Sequence, residues 1–158
     1  MKAVVQKVTS SKITVEGEEI CSIETGLCVF VGFSKKDTEK DVDYMVKKLL
    51  ALKLFEDKIT GKRWQKNVKD SNYEILCVSQ FSLYNKLKGN SLEFHQAMQG
   101  DEAKEFYYSF LKKLGQNYCE EKIKDGRYGV VRIVHIQNDG PVTITLESPV
   151  LDESNKEK

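Results

Sequence analysis

Short apolar blocks broken by polar pairs run through the first third of the chain, and this pattern predicts strands. The breaks fall at Ser10-Ser11, Glu16-Gly17 and Thr25-Gly26, which are combinations typical of turns. The predicted strands cover residues 2–8, 12–15, 18–23 and 27–33. Because short strands joined by tight turns pair with their neighbours, the opening is predicted to be an antiparallel meander.

Two later segments change to a helical period. In the first, apolar residues recur three and four positions apart, and Asp37 or Thr38 can cap the first turn. These recurring residues are Val42, Met45, Val46, Leu49 and Leu50. A second amphipathic helix is predicted over residues 101–114, with Gly115 as its stop. The spacing predicts that the apolar stripe of each helix faces the core.

Strand patterns return in the second half of the chain, at residues 74–78, 129–137 and 142–148. Many strands, two helices and no alternation of strand with helix predict an α+β protein: antiparallel sheets curled into a sandwich or barrel, with two main helices outside. A chain of 158 residues fits one domain, which we assign to residues 1–149. Residues 150–158 are predicted to be a frayed polar tail.

Charge and composition narrow the function classes. Lys and Arg number 25 against 24 Asp and Glu, so any contact with a polyanion must be a local patch. No signal sequence and no apolar run of about 18 residues is present, and therefore no membrane contact and a cytoplasmic location are expected. Four irregularly spaced cysteines predict reduced thiols, and two histidines forty positions apart predict no metal site.

Familiar hydrolase motifs are missing from the sequence: there is no G-x-S-x-G elbow, no H-E-x-x-H and no phosphate-binding G-x-x-x-x-G-K. Gly126-Arg-Tyr-Gly129 matches the G-x-x-G loop of some RNA-binding domains, but a tight turn is the favoured interpretation. His135 lies within an apolar strand, which favours a hydrogen-bonded structural role over that of a base.

Two polar stretches at strand ends are candidates for chemistry. Ser79-Gln80-Phe81-Ser82 follows a strongly apolar strand, and backbone N–H groups that lose their ladder partners there can form an oxyanion site. A strand that simply enters a polar loop fits the sequence equally well. Asn138-Asp139-Gly140-Pro141 contains one of only two prolines. It is either an ordinary turn or a rigid turn that presents carbonyl oxygens outward.

With these stretches in view, the chain resembles the D-aminoacyl-tRNA deacylases, also called D-tyrosyl-tRNA deacylases. The matching segments are the opening Met-Lys-Ala-Val-Val-Gln, the YEILCVSQFSL run of residues 73–83, the GN…FH of residues 89–95, and the VHIQNDGPVTI run of residues 134–144. The resemblance extends from residue 1 to about residue 149, with the motifs in the family's order.

The resemblance implies a homodimeric, β-rich deacylase fold that hydrolyses the ester linking a D-amino acid, or glycine, to the terminal adenosine of tRNA. No metal or organic cofactor is implied. The residues Ser79, Gln80, Phe81 and Ser82 would form the catalytic pocket, with N–H groups near Gln80 and Phe81 facing the ester carbonyl. The partner's Gly140 and Pro141 would enter that pocket as a cis pair and bind the substrate amino group. Asn138, Phe94 and His95 would also contact substrate.

Further roles follow from the resemblance and its departures. Lys86 and Lys88 flank the site and would bind tRNA weakly. Lys7 stands where the family typically has arginine to support the Gly-Pro turn, and a lysine cannot brace backbone carbonyls in the same way. Ser82 replaces a usual threonine, Ser91-Leu92 replace a basic residue and proline, and Val130-Val131-Arg132 replace a stretch with alanine and methionine.

Hydrolysis without a visible base is consistent with assistance from the ribose 2′-hydroxyl, so that the protein positions the ester rather than forming a covalent intermediate. Two other functions stay open at this stage. The chain could be a catalytically weak relative that binds nucleic acid, or an editing domain that removes a wrongly attached L-amino acid. Asn138-Asp-Gly-Pro141 argues against the second of these.

Overall fold

Residues 1–150 are described by the structure, which is a computed structural model. The tail predicted to be frayed lies outside the described residues, apart from Val150. The strands are β1 Lys2–Val15, β2 Glu18–Ile23, β3 Gly26–Gly32, β4 Glu74–Ser79, β5 Lys86–Lys88, β6 Ser91–Glu93, β7 Ile123–Asp125 and β8 Ile133–Glu147, and the helices are α1 Glu39–Ala51 and α2 Gly100–Asn117.

Strands β2, β1, β3, β4 and β7 lie in that order in one curled sheet, and β8 pairs with β1 as well. This α+β architecture with two main helices is the fold class that the sequence predicted. Pairing is antiparallel around β1 but parallel between β3 and β4 and between β4 and β7. The prediction of purely antiparallel sheets was therefore wrong. Helix α1 connects the parallel strands β3 and β4, but the long segment between α1 and β4 obscures the strand–helix–strand order in the sequence.

Strands β3 and β4 are apolar at nearly every position because both of their faces are buried, as parallel strands usually are. One face packs with α1 and α2 in the main core, to which β4 contributes Ile75 and Cys77. The other face, with Leu76 and Val78, packs against β1 and β2 in a second cluster. The end of β4 therefore emerges from a region that is buried on both sides.

The predicted meander is wrong at its centre. Residues 2–15 form one continuous strand, and β2 and β3 each pair with it rather than with each other. Ser10-Ser11 does not interrupt β1, because the buried Ser11 hydroxyl donates to the His135 carbonyl at 2.8 Å. The predicted structural role of His135 agrees with its ring, whose Nε2 lies 3.2 Å from Thr14 Oγ1.

The predicted final pair of strands is instead the single strand β8, and residues 129–132 precede it. Both of its halves pair with β1: Gln6 lies opposite Thr143, and Val8 lies opposite Asn138. Between these two pairs β1 advances by two residues and β8 by five, so residues 139–142 of β8 bulge out of the ladder. The Asp-Gly-Pro sequence forms this bulge and not a hairpin between two strands.

Helix α1 begins as the sequence predicted. Thr38 is its N-cap, and a capping box with Asp41 closes the first turn. Helix α2 runs past Gly115, which was predicted to be its stop. Gly115 is buried, and a Cβ there would lie 3.0 Å from Glu120 Cγ, so close packing and not chain termination explains the glycine.

Candidate functional site

The chain turns sharply where β4 ends. The parallel ladder with β3 finishes at Ser79, and residues Phe81–Leu83 form one turn of 3-10 helix. Tyr84 N–H donates to the Phe81 carbonyl at 3.0 Å and closes that turn. Gly32 of β3 permits the turn, because a Cβ there would lie only 2.7 Å from Gln80 O. The polar stretch thus marks a strand end that is held in place from β3.

Of the two backbone N–H groups expected to face an ester carbonyl, one is already in use. Gln80 N–H donates to Val31 O at 2.7 Å, which contradicts the expectation for Gln80. For Phe81 N–H, no acceptor is found among residues 1–150. The Gln80 side-chain amide donates to the Ser82 hydroxyl. Of the two N–H groups, Phe81 N–H is therefore the one that has no acceptor within the described residues, and the Ser82 hydroxyl accepts from Gln80.

Arg132 holds the end of β4 from the opposite side. Its Nη2 donates to Ser79 O at 2.8 Å and lies 3.3 Å from Ser79 Oγ. Its Nη1 donates to the carbonyls of Val130, at 2.7 Å, and Arg127, at 3.1 Å. Its Nε is buried without a partner in the described part of the chain. One guanidinium therefore ties the loop before β8 to the strand end.

A cleft of about 440 Å³ opens above this strand end. Its walls come from β3, the end of β4, the region around Met98 and Ala103, and the loop of residues 128–132. Tyr128, Gly129 and Arg132 were not proposed as site residues from the sequence. The signals for them were the Gly126–Gly129 motif, which is indeed a turn, and the departure from the family pattern at Val130-Val131-Arg132.

Phe94 is brought to this site by aromatic packing. Its ring meets that of Phe81 edge-on, with centroids 5.1 Å apart. His95 follows on an exposed segment, with Nδ1 3.8 Å from Glu93 Oε2. The Phe81 ring is 46% exposed, which leaves an aromatic surface at the mouth of the cleft.

Helix α2 supports β4 from below the site. The Tyr107 hydroxyl lies 3.0 Å from Cys77 O and 2.9 Å from Asp125 Oδ1, and its one hydrogen is shared between these two acceptors. Burial raises the pKa of Tyr107, and the nearby Cys77 and Asp125 raise it further. Tyr107 is therefore a neutral, permanent donor that fixes the distance between β4 and β7.

The turn at Asn138–Pro141 lies elsewhere on the protomer. The Gly140–Pro141 peptide bond is cis, as the resemblance implied. Lys7 Nζ lies 3.6 Å from Asp139 Oδ2, so Lys7 supports the turn through a carboxylate and not through backbone carbonyls. Gly140 lines a small cleft with Lys7, Trp64 and others, and that cleft shares no residue with the one at Ser79. One protomer does not bring the two predicted halves of the site together.

The two lysines predicted to bind tRNA lie on the exposed β5–β6 hairpin. Lys88 Nζ is 3.4 Å from Glu93 Oε1, which offsets part of the positive charge there. Within residues 1–150, no group of three or more acidic, cysteine or histidine side chains is arranged to hold a metal ion. Neither helix of that segment has the length and apolar character needed to cross a membrane.

Known proteins similar to this chain agree on one family. The family model described as D-Tyr-tRNA(Tyr) deacylase matches residues 4–147. A Drosophila melanogaster protein named D-aminoacyl-tRNA deacylase is 57% identical over 99% of this chain and 98% of its own. A Homo sapiens protein named D-aminoacyl-tRNA deacylase 1 is 56% identical over 94% of this chain and 71% of its own.

Solved structures show the same fold. One described as c-Myc DNA Unwinding Element Binding Protein superimposes with a TM-score of 0.91 at 55% identity, over 95% of this chain and all of the other. A second, from a structural analysis of a probable eukaryotic D-amino acid tRNA deacylase, has a TM-score of 0.80 at 18% identity over 92% of this chain and 98% of the other. The match of the family model and of these relatives along nearly the whole chain establishes that this chain belongs to the D-Tyr-tRNA(Tyr) deacylase family.

Proposed function

We propose that this chain hydrolyses the ester that joins a D-amino acid, or glycine, to the terminal adenosine of tRNA. The active form is a homodimer in which the Gly140–Pro141 turn of one protomer completes the cleft at Ser79 of the other. Relatives more than 50% identical carry the deacylase name, which supports the reaction. The separation of the cleft and the turn within one protomer supports the dimeric site.

The strand end supplies orientation and charge stabilisation. As water attacks the acyl carbon, the carbonyl oxygen gains negative charge and accepts a hydrogen bond from Phe81 N–H. The bond from the acyl carbon to the ribose oxygen then breaks, and the neighbouring 2′-hydroxyl assists the proton transfers. Ser79 is held by Arg132 at the edge of the same cleft. No nucleophile activated by a neighbouring base is required by this scheme.

Chirality is enforced by exclusion. The carbonyl oxygens of the partner's Gly140–Pro141 turn accept from the substrate ammonium group and occupy the space that an L side chain would need. A D side chain or a glycine hydrogen points away from that turn. Rejecting one enantiomer by steric conflict lets one pocket accept many D side chains.

The direct test compares hydrolysis of D-tyrosyl-tRNA and L-tyrosyl-tRNA by the wild type, Ser79→Ala and Pro141→Ala. We expect fast turnover of the D ester by the wild type, and a loss of the D over L preference in the Pro141→Ala variant. Turnover of the L ester by the wild type would instead identify an editing domain for L-amino acids. No acceleration of either ester at micromolar protein would refute the deacylase function.

The cross-subunit site has its own test in subunit mixing. Ser79→Phe fills the cleft and Gly140→Leu obstructs the turn, so each homodimer should be inactive. A heterodimer of the two has one site with both changes and one site with neither, so mixing should restore activity. A mixture of Ser79→Phe with Ser79→Trp, which both fill the cleft and leave the turn intact, serves as the control and should stay inactive.

Nucleic-acid binding without turnover is the second candidate function. A solved protein of the same fold, 55% identical, is described as binding a DNA unwinding element. Tight binding of duplex DNA by this chain, with no hydrolysis of D-tyrosyl-tRNA, would favour this function.

A cytoplasmic location stays a prediction from the sequence.

A further inference from the structure

A basic loop lies beside the Gly140–Pro141 turn. Residues 56–66, here called the basic loop, contain four cationic residues and two carboxylates in a chain whose total charge is close to neutral. Arg63 and Trp64 line the same small cleft as Lys7, Asp139 and Gly140. The loop therefore flanks the segment that is proposed to enter the partner's cleft.

Backbone hydrogen bonds hold the basic loop in one shape. Phe55 and Lys66 exchange two backbone bonds of 2.9 Å at its base. At its tip, Gly61 N–H donates to Asp57 O at 2.7 Å, and Ile59 N–H donates to Asp57 Oδ1 at 2.8 Å. The Asp57 carboxylate, which also lies 4.0 Å from Lys66, is thus used within the loop. A loop ordered in advance loses less conformational entropy when it binds a partner.

The charges at the loop's tip face solvent. Lys62 and Arg63 are exposed, and neither has a carboxylate within ion-pair distance among residues 1–150. Between them and Gln65, Trp64 is 52% exposed with a φ of 61°, a left-handed backbone conformation that is uncommon for a large side chain. A half-exposed indole beside two exposed cations offers a stacking surface for a base, and the cations offer ion pairs for phosphates.

We propose that the basic loop binds the acceptor end of the tRNA substrate, with Lys62 and Arg63 on its phosphates and Trp64 stacked on a base that precedes the terminal adenosine. This proposal rests on the proposed deacylase function. The loop would serve the cleft of the partner, because it belongs to the protomer that supplies the turn. The β5–β6 hairpin is the weaker candidate surface, since Glu93 offsets Lys88 and the hairpin carries no aromatic residue.

The first test uses Trp64 as a reporter, because it is the only tryptophan in the chain. Deacylated tRNA added to the wild type should quench Trp64 emission in a saturable way that weakens as salt increases. The Lys62→Ala/Arg63→Ala variant should bind tRNA about tenfold more weakly, and its salt slope should fall by about one for each lost phosphate contact. Binding of labelled tRNA that leaves Trp64 emission unchanged would overturn the proposal.

The second test separates the loop from the chemistry by comparing D-tyrosyl-tRNA with D-tyrosyl-adenosine, which lacks the phosphates. Lys62→Ala/Arg63→Ala and Trp64→Ala should each raise KM for the tRNA substrate by about tenfold. Neither should change kcat on either substrate or KM for the adenosine ester. Trp64→Phe, which keeps an aromatic ring, should recover most of the affinity.

The matched control is Lys104→Ala/Lys112→Ala, which removes two exposed cations from α2 and should change nothing. Equal loss on both substrates would show that Trp64 only supports the Gly140 turn, and it would overturn the RNA-binding role. Unchanged kinetics in the loop variants would refute tRNA binding by the basic loop and would leave the proposed deacylase function unaffected. Failure of the wild type on both esters would instead remove the proposed function.

Discussion

The strand end at Ser79–Ser82 and the turn at Asn138–Pro141 carry the two most distinctive motifs in the sequence, yet they are built differently. The strand end is enclosed: β3 binds Gln80, Arg132 binds Ser79, and Tyr107 braces β4 below. The turn bulges from β8, and its one ion pair among residues 1–150 is between Lys7 and Asp139.

This difference separates two ways of building a site. The geometry of the strand end is fixed by its own protomer, so it can hold the proposed oxyanion donor, Phe81 N–H, in place before substrate binds. Gly140 and Pro141 of the turn are exposed on the protomer, so their position relative to a substrate depends on what packs against them. Substitutions should therefore affect catalysis at the strand end and stereochemical selection at the turn.

The largest effect is expected from removing the clamp on the strand end. Arg132→Ala deletes charge-assisted hydrogen bonds to Ser79 and to two loop carbonyls, and such bonds contribute about 1.5–3 kcal/mol each. We expect kcat for D-tyrosyl-tRNA to fall by about 30-fold with little change in KM. Steady-state kinetics measure this split.

Matched variants keep that result interpretable. Arg132→Lys retains the charge and one donor nitrogen and should recover part of kcat, while Arg127→Lys, which changes a side chain outside the clamp, should be neutral. An unchanged kcat in Arg132→Ala would show that the strand end keeps its geometry without the guanidinium.

A smaller effect, and of a different kind, is expected at the turn. Gly140 has a φ of +118°, and a Cβ there would lie 3.2 Å from Val142 N, so Gly140→Ala is strained. Because of this strain we expect a modest fall in Tm, of about 2–4 °C, and a fall of about tenfold in the ratio of D to L hydrolysis. A large fall in Tm with an unchanged ratio of D to L hydrolysis would show that the turn stabilises the fold and does not set stereochemical selection.

The aromatic pair at the cleft mouth should contribute less. Edge-on aromatic pairs contribute about 0.5–1.5 kcal/mol beyond burial, and the Phe81 and Phe94 rings are 5.1 Å apart. Phe94→Ala should raise KM several-fold. Phe94→Leu retains apolar bulk but no ring, and its KM should lie between those of Phe94→Ala and the wild type. Equal KM values for all three proteins would show that the pair does not shape the cleft.

The ion pair beneath the turn should have a still smaller effect. Lys7 and Asp139 lie 3.6 Å apart with partly exposed side chains, and such pairs typically contribute about 0.2–1 kcal/mol. A double-mutant cycle with Lys7→Ala and Asp139→Asn should give a coupling free energy of unfolding in that range. A larger value would mean that the turn is more firmly held than the contacts indicate.

The smallest effect is expected from thiol reagents, which should leave the buried Cys77 of β4 and Cys28 of β3 unlabelled. Burial raises the pKa of Cys77 and raises that of Cys28 to about 11, which disfavours the reactive thiolate form of both. Cys21 and Cys119 are only partly buried and should react first. Peptide mapping after labelling at pH 8 checks the order, and early labelling of Cys77 would show that the strand end opens readily.

Several features of the fold and site could be predicted because they depend on local rules. Thr38 and Asp41 specify a capping box within four residues, and the apolar spacing of both helices places their buried faces correctly. The resemblance located the cleft at Ser79 and the cis bond at Gly140. The prediction that Gly115 ends α2 was wrong, because a glycine that permits close packing and a glycine that ends a helix look alike in a sequence.

The sequence alone determined the fold class, both helices, the apolar strands and the two candidate motifs, since each follows from the order of neighbouring residues. Only the tertiary structure decided the parallel pairing of β4, the bulge in β8, the bonding of Gln80 N–H and the clamp formed by Arg132. Those features join residues that are distant in the chain: Arg132 and Ser79 are 53 positions apart. Such a contact is set by how the strands pack, which no local pattern encodes.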